Sequence, residues 1–257
     1  MDLHSGLPYW IIRNSLWDYF HPLEKDLSTD VVIVGSGITG ALMAHELCHA
    51  GIKCCIVDKR SIATGSSAAS TALLQYEIDV PLCRMAKIIG EENAATAYHA
   101  CLQSISDIKR VLEETGVNAG FEQLPSLFYA SSAADNKLLE QEHEIRQKHK
   151  LPVNLLEKKK IREEYKVKTP GNALINEASA QMDAYRAATG LLAYHIKESG
   201  LKVFTHTSIK ECIETSDGCI MTTDRGHKIK CGYVIIATGF EAGQFLPQKI
   251  MDLTSTY

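Results

Sequence analysis

Val31-Val32-Ile33-Val34-Gly35-Ser36-Gly37-Ile38-Thr39-Gly40 decides the fold class. An unbroken apolar run feeds a Gly-x-Gly-x-x-Gly turn, and a helical pattern follows directly. A second apolar run, Cys54-Cys55-Ile56-Val57, ends in Asp58, 18 residues after Gly40. A strand–helix–strand unit punctuated this way is suited to hold a dinucleotide. Gly35 permits the tight turn, Gly37 lets the backbone approach a pyrophosphate, and Gly40 lets the helix close on the strand. The helix N-terminus offers unpaired N–H groups and a partial positive charge to the phosphates. Asp58 stands where a carboxylate accepts hydrogen bonds from ribose hydroxyls. The glycines alone also fit a tight turn with no ligand; the strand, the helix and the acid turn the balance. Both apolar runs lack alternation, as expected of parallel strands covered on both faces.

Around this unit the composition is that of a soluble globular chain. The 257 residues allow a sizeable core and one or two domains. A net charge of −4 argues against a nucleic-acid surface. No apolar run approaches the roughly 20 residues of a membrane span. Met1-Asp2-Leu3-His4-Ser5-Gly6 has no basic n-region and no apolar h-region follows, so no signal peptide is expected. The eight cysteines form no Cys-x-x-Cys pair and read as reduced small hydrophobes. Together these features point to a cytoplasmic protein.

Residues 1–28 form an arm whose Tyr9, Trp10, Trp17, Tyr19 and Phe20 are expected to anchor it on the body. After Asp58-Lys59, the stretch Ser61–Thr71 is rich in small and hydroxylated residues. It reads as an ordered loop that enters a helix at Ala72-Leu73-Leu74, with hydroxyls aimed at a polar group. Tyr76, Glu77 and Asp79 follow it, suited either to approach a ligand or to bond within the loop. Helices are expected over 84–116, 133–149 and 184–199, the last with Asp183 as N-cap and Gly200 as stop. Pro125 interrupts a strand around 121–130. The dense charges of 157–168 read as a solvated amphipathic surface. Hairpin chemistry at Ser216-Asp217-Gly218 introduces a small meander. His45 and His49 lie at i, i+4 without a third ligand, so packing or surface roles are expected rather than a metal site.

The second signature is Tyr233-Val234-Ile235-Ile236-Ala237-Thr238-Gly239. A buried strand ends in three small residues, which let a ligand lie against the backbone at the end where parallel sheets bind ligands. Taken in order, the glycine fingerprint, the acid, the hydroxyl loop and this strand end resemble the D-amino-acid-oxidase-like family of FAD-dependent oxidoreductases. That family includes glycine oxidase and monomeric sarcosine oxidase. The resemblance covers residues from about 28 to 245.

It implies an α/β fold: a Rossmann-like FAD-binding domain with a parallel central sheet and a small antiparallel meander, plus a partial substrate-domain insertion. The implied boundaries are an arm at 1–28, an FAD-binding domain at 29–117 and 183–257, and an insertion at 118–182. It also implies roles for matching positions. Gly35, Gly37, Ile38, Thr39 and Gly40 hold the pyrophosphate. Asp58, where the family more often has Glu, binds the adenosine ribose, and Lys59 flanks adenine. Ser66, Ser67, Ser70, Thr71, Ala72 and Leu73 match the loop that leads from the phosphates to the flavin ring. Ile209 matches a residue whose backbone pairs with adenine, and Ala237, Thr238 and Gly239 match the strand end beside the cofactor.

Family members continue beyond this strand, whereas Leu253-Thr254-Ser255-Thr256-Tyr257 reads as the start of a next strand. The resemblance therefore implies an N-terminal portion, with strand edges open to self-association. The implied activity is oxidation of a small-molecule amine or amino acid by hydride transfer to flavin; no catalytic base is identified. Two alternatives stand beside it: a module that holds FAD or ADP without turnover, and an NAD-dependent dehydrogenase.

Overall fold

A computed structural model describes residues 6–17, 20–239 and 241. The chain divides into two compact units. One comprises the described residues up to Thr71, Thr115–Ala119, and those from Asp183 onward; the other comprises Ala72–Glu114 and Gly120–Met182. In chain order, the first unit opens with α1 (Tyr9–Asn14), β1 (Leu27–Val34), α2 (Ile38–His49) and β2 (Cys54–Val57). Next come β3 (Leu73–Leu74), α3 (Leu82–Ile89), α4 (Glu91–Thr115), β4 (Glu122–Gln123), β5 (Ser126–Tyr129) and α5 (Asn136–Lys148). They are followed by β6 (Asn154–Leu156), α6 (Lys158–Glu164), β7 (Ala173–Asn176) and β8 (Ala180–Gln181). The chain then re-enters the first unit with α7 (Ala184–Ser199), β9 (Lys202–Phe204), β10 (Ile209–Thr215), β11 (Gly218–Thr223) and β12 (Lys228–Ile236).

The first unit is built on a six-stranded sheet in the order β10-β11-β12-β1-β2-β9. Strands β12, β1, β2 and β9 run parallel, and β10-β11-β12 form the antiparallel meander. Val34 pairs level with both Val57 and Ile236, so three parallel strands end flush. That shared carboxyl end is where an open α/β sheet presents its ligand crevice. Successive strand residues point to opposite faces. Val32, Val34, Cys55, Val57, Met221 and Ile229 fill a core on one face. In the same unit α2 packs along α7. Ala41, Ala44, Ala187 and Ala188 are buried, and such small side chains allow close helix approach. Helix α7 starts where Asp183 accepts a hydrogen bond from the Arg186 N–H at 2.9 Å and stops at left-handed Gly200.

The second unit carries two antiparallel three-stranded sheets, β3-β8-β4 and β5-β7-β6. Pro125 divides the expected strand so that β4 and β5 belong to different sheets. Three other expectations need correction. Residues 72–114, assigned above to the FAD-binding domain, lie in the second unit, because Tyr76, Leu82, Tyr98 and Ile105 share a core with Leu151 and Ala180. The stretch Ala72-Leu73-Leu74 does not enter a helix. Ala72 takes a positive φ of 73°, its carbonyl accepts the Met182 N–H, and Leu73 and Leu74 pair with β8 as a strand. The helix expected over 84–116 is two helices, α3 and α4, parted at Gly90 with φ 87°.

A buried ion pair organises this unit. Glu142 is fully buried; its carboxylate accepts Arg146 Nε at 2.7 Å and the N–H groups of Leu82 and Cys83 at 2.8 Å each. It thereby caps the N-terminus of α3, where unpaired N–H groups need an acceptor. Arg146 also reaches Glu77 at 3.1 Å. The Tyr76 hydroxyl donates to Pro152 O at 2.7 Å, and burial pushes its pKa up to about 12. Tyr76 and Glu77 thus serve hydrogen bonds within this unit. Tyr19 and the strand start expected at residues 253–257 lie outside the described residues.

Candidate dinucleotide site

A cavity of about 620 Å³ lies in the first unit at the flush ends of β1, β2 and β12. It falls within the range of about 300–1,000 Å³ usual for small-molecule sites. Its wall contains Gly35, Gly37, Ile38, Thr39, Asp58, Lys59, Ser66, Ser67, Ser70, Thr71, Ile209, Ala237, Thr238 and Gly239. Segments separated by as much as two hundred residues are therefore gathered around one space. Gly40 stands behind the wall, buried in the first turn of α2. Ala72 and Leu73 are not brought to this wall: both belong to the second unit, and Leu73 pairs with Gln181 in β3.

The fingerprint glycines are required by contact. Gly35 has φ 111°, and a β-carbon there would fall 2.3 Å from Ala237 O. The β1–α2 turn and the end of β12 therefore touch, backbone to backbone. A β-carbon on Gly40 would fall 2.0 Å from Gly35 O, so the helix closes onto the turn as well as onto the strand. The first turn of α2 leaves N–H groups without acceptors inside the helix. Ser67 Oγ accepts the Ile38 N–H at 2.9 Å, which ties the hydroxyl loop to the helix N-terminus.

Asp58 is held firmly at the end of β2. Its Oδ2 accepts the Ser36 N–H at 2.8 Å and the Ser36 hydroxyl at 2.6 Å, while Oδ1 accepts the Arg60 N–H at 2.8 Å. A carboxylate oxygen accepts two hydrogen bonds, so Oδ1 has room to accept from a further donor beside the Arg60 N–H. Lys59 Nζ lies 2.8 Å from Glu241, and Arg60 grips the same carboxylate with two nitrogens at 3.0 Å each. Burial raises the Glu241 pKa, but the hydrogen bonds and charges of Arg60 and Lys59 outweigh it and hold the carboxyl below its ordinary range. Both cationic side chains are thus turned to Glu241, so what this end of the cavity offers an anion is the helix N-terminus and hydroxyls.

The site fits an FAD. The Thr238 hydroxyl oxygen is buried on the cavity wall with no partner among the described residues, a polar atom that a ligand would satisfy. Gly37 leaves its side of the cradle open up to Ser67 Oγ, which a β-carbon would meet at 3.0 Å. Sequence reasoning missed Ser36, Arg60, Thr207, Ser208 and Glu241. Ser36 and Arg60 sit beside recognised residues, so their adjacency was the available signal. Glu241 carried none, being 181 positions from Arg60. No cluster of potential metal ligands occurs among the described residues. His45 instead faces His195, with Nδ1 and Nε2 3.0 Å apart.

Residues 30–255 match the DAO family, described as FAD dependent oxidoreductase. The chain belongs to that family, and FAD is its cofactor, which sets aside the NAD-dependent alternative. Among curated proteins it is similar to YhfW of Bacillus subtilis (strain 168), named as a Rieske 2Fe-2S iron–sulfur protein. The two are 23% identical over 232 residues, 90% of this chain and 44% of YhfW. Among solved structures it is similar to L-amino acid deaminase from Proteus vulgaris lacking its specific insertion, with TM-score 0.73 and 18% identity. That match covers 96% of this chain and 61% of the deaminase. It is also similar to glycine oxidase from Geobacillus kaustophilus, with TM-score 0.69 and 22% identity, over 83% of this chain and 56% of the oxidase. These structural likenesses establish the fold. The chain spans about half the length of the proteins it matches.

Proposed function

We propose that the cavity of the first unit holds FAD and that the protein oxidises an amine or amino acid. Bound FAD supplies a flavin ring able to accept a hydride. The protein's part is to bind and orient it. The first turn of α2 and the hydroxyls of Ser66, Ser67, Ser70 and Thr71 hold the pyrophosphate, and Asp58 holds the adenosine ribose. Lys59 and Ile209 flank the adenine, and Ala237, Thr238 and Gly239 give the cofactor room at the strand end. The observation that carries this reading is the convergence of three distant segments, at 35–39, 58–71 and 237–239, on one cavity. The substrate class is supported by the neighbours titled glycine oxidase and L-amino acid deaminase. A cytoplasmic setting belongs to the same reading, supported by eight cysteines that are all free.

A second reading is FAD binding without turnover, since every residue placed at the cavity holds the cofactor and none is assigned to act on a substrate. Spectra separate the two. Protein purified and titrated with FAD should show bound-flavin absorbance near ~450 nm. Adding glycine, L-proline, or D- and L-amino acids without oxygen should then bleach it. Bound flavin that no amine bleaches would support the binding module; a chain that takes up no FAD would defeat both readings.

A further inference from the structure

The N-terminal arm is fastened to two walls of the cavity without lining it. Trp10 is buried, and its indole N–H donates to Ser70 O at 2.8 Å. Ser70 belongs to the hydroxyl loop, which Ser67 Oγ on the Ile38 N–H ties to the fingerprint helix and the Ala63 N–H on Ser36 Oγ ties to the fingerprint turn. Farther along, the Leu23 N–H donates to Thr207 Oγ1 at 3.0 Å, and Thr207 lines the cavity wall beside Ile209. Between these points Asn14 Nδ2 donates to Asp183 Oδ2 at 2.7 Å, and the Trp17 N–H donates to the Tyr185 hydroxyl at 3.0 Å. The Trp10 ring is itself fixed edge-on by Tyr9, with centroids 4.8 Å apart.

We infer that this arm is a retention strap: Trp10 and Leu23 are positioning residues that keep the hydroxyl loop and the Thr207 wall in their binding geometry, and so slow the loss of FAD. The inference rests on the assignment of this cavity to FAD. The loop buries Ile62, Ala63 and Ala68, but its remaining side chains are mostly small and hydroxylated, and ordering them is entropically costly. If the strap holds it ordered before binding, FAD does not have to supply that order, and affinity rises without any new contact.

Trp10→Phe keeps an aromatic ring of smaller volume and deletes the donor. The test is made on the whole chain, with FAD binding and release followed by flavin fluorescence and the stability of the FAD-free protein followed by urea unfolding. The expected result is a rise in the FAD Kd of about three- to tenfold, the range that one unmade hydrogen bond corresponds to. It should appear mainly as faster release, with any fall in the urea midpoint of the FAD-free protein limited to what the smaller buried side chain and the lost hydrogen bond cost. Ile12→Ser, at an arm position 67% exposed, should leave both readouts at wild-type values. An unchanged Kd in Trp10→Phe would overturn the strap, as would a fall in the FAD-free midpoint with no change in Kd, because the arm would then be a fold element only. A wild-type chain that binds no FAD would instead remove the cavity assignment, and the strap with it.

Discussion

Gly37 and Gly40 belong to one fingerprint, yet they answer to different neighbours. A β-carbon on Gly40 meets a backbone oxygen at 2.0 Å, and neither the helix nor the Gly35 turn can yield cheaply. Gly40→Ala should therefore destabilise the FAD-free protein by about 1–3 kcal/mol, the usual cost of overpacking. On Gly37 the β-carbon meets only Ser67 Oγ, at 3.0 Å, a side-chain atom that can yield at the expense of its hydrogen bond from the Ile38 N–H. Gly37→Ala should keep the urea midpoint near wild type and weaken FAD at least roughly tenfold, since it narrows the open side of the cradle. Urea unfolding together with FAD titration on both variants checks the contrast; equal losses of stability would contradict it. At this scale the sequence was legible wherever spacing encodes geometry. The glycines, Asp58 and the Ala-Thr-Gly strand end were all readable because each needs a specific residue at a fixed offset from a strand. The ion pairs of Lys59 and Arg60 with Glu241 were not, because nothing local marks a partner some 180 positions away. The family resemblance placed Ala72 and Leu73 on the loop, whereas the chain crosses between units at Thr71.

Helices α2 and α7 meet in part through His45 and His195, which are 5% and 3% exposed. His45 Nδ1 faces His195 Nε2 at 3.0 Å, and His195 Nδ1 faces Ser199 Oγ at 3.0 Å. Each contact accommodates a single proton, so the chain of hydrogen bonds is complete with both rings neutral. Burial, then the nearby His45 and His49, push the His195 pKa below its ordinary value. The folded state thus binds a proton less readily than the unfolded chain. Stability contributed here is fully present above the ordinary histidine pKa of about 6.5 and is lost as pH falls below it. The urea midpoint should decline between about pH 7.5 and 5.5, and His195→Gln should flatten that decline. A slope unaltered by the substitution would locate the acid sensitivity elsewhere. The ends of α7 were readable in Asp183 and Gly200, since caps are local chemistry. The histidine pair was not, because its partners are 150 positions apart and only packing joins them. The strand at Leu73–Leu74 was misread for a related reason: an apolar pattern fits helix or strand equally over a few residues, and a tertiary partner chooses. The break at Gly90 had a local signal, a glycine inside a helical pattern, that the periodicity masked.

For the whole molecule, the parallel sheet and its meander followed from the sequence because β2 and the ends of β1 and β12 are continuous apolar runs and turn chemistry marks the hairpin at 216–218. The division into units did not, because 72–114 looks like any amphipathic helical segment until its burial partners are known. One consequence of the sheet order is testable. Strand β12 pairs with β11 only from Lys228 to Cys231, whereas it pairs with β1 up to Ile236. Among the described residues, Gly232–Ile236 has no strand on its other side. Tyr233 there is 75% exposed, and Ile213 on the outer strand β10 is 49% exposed. An open edge with apolar side chains is a template for another strand, and lysine is the residue that blocks it. We therefore expect concentration-dependent self-association by light scattering. Tyr233→Lys should weaken it several-fold while leaving FAD uptake intact, because Tyr233 lies outside the cavity wall. A chain that stays monomeric across the accessible concentrations, or one whose association ignores the lysine, would show that this edge is covered by other means.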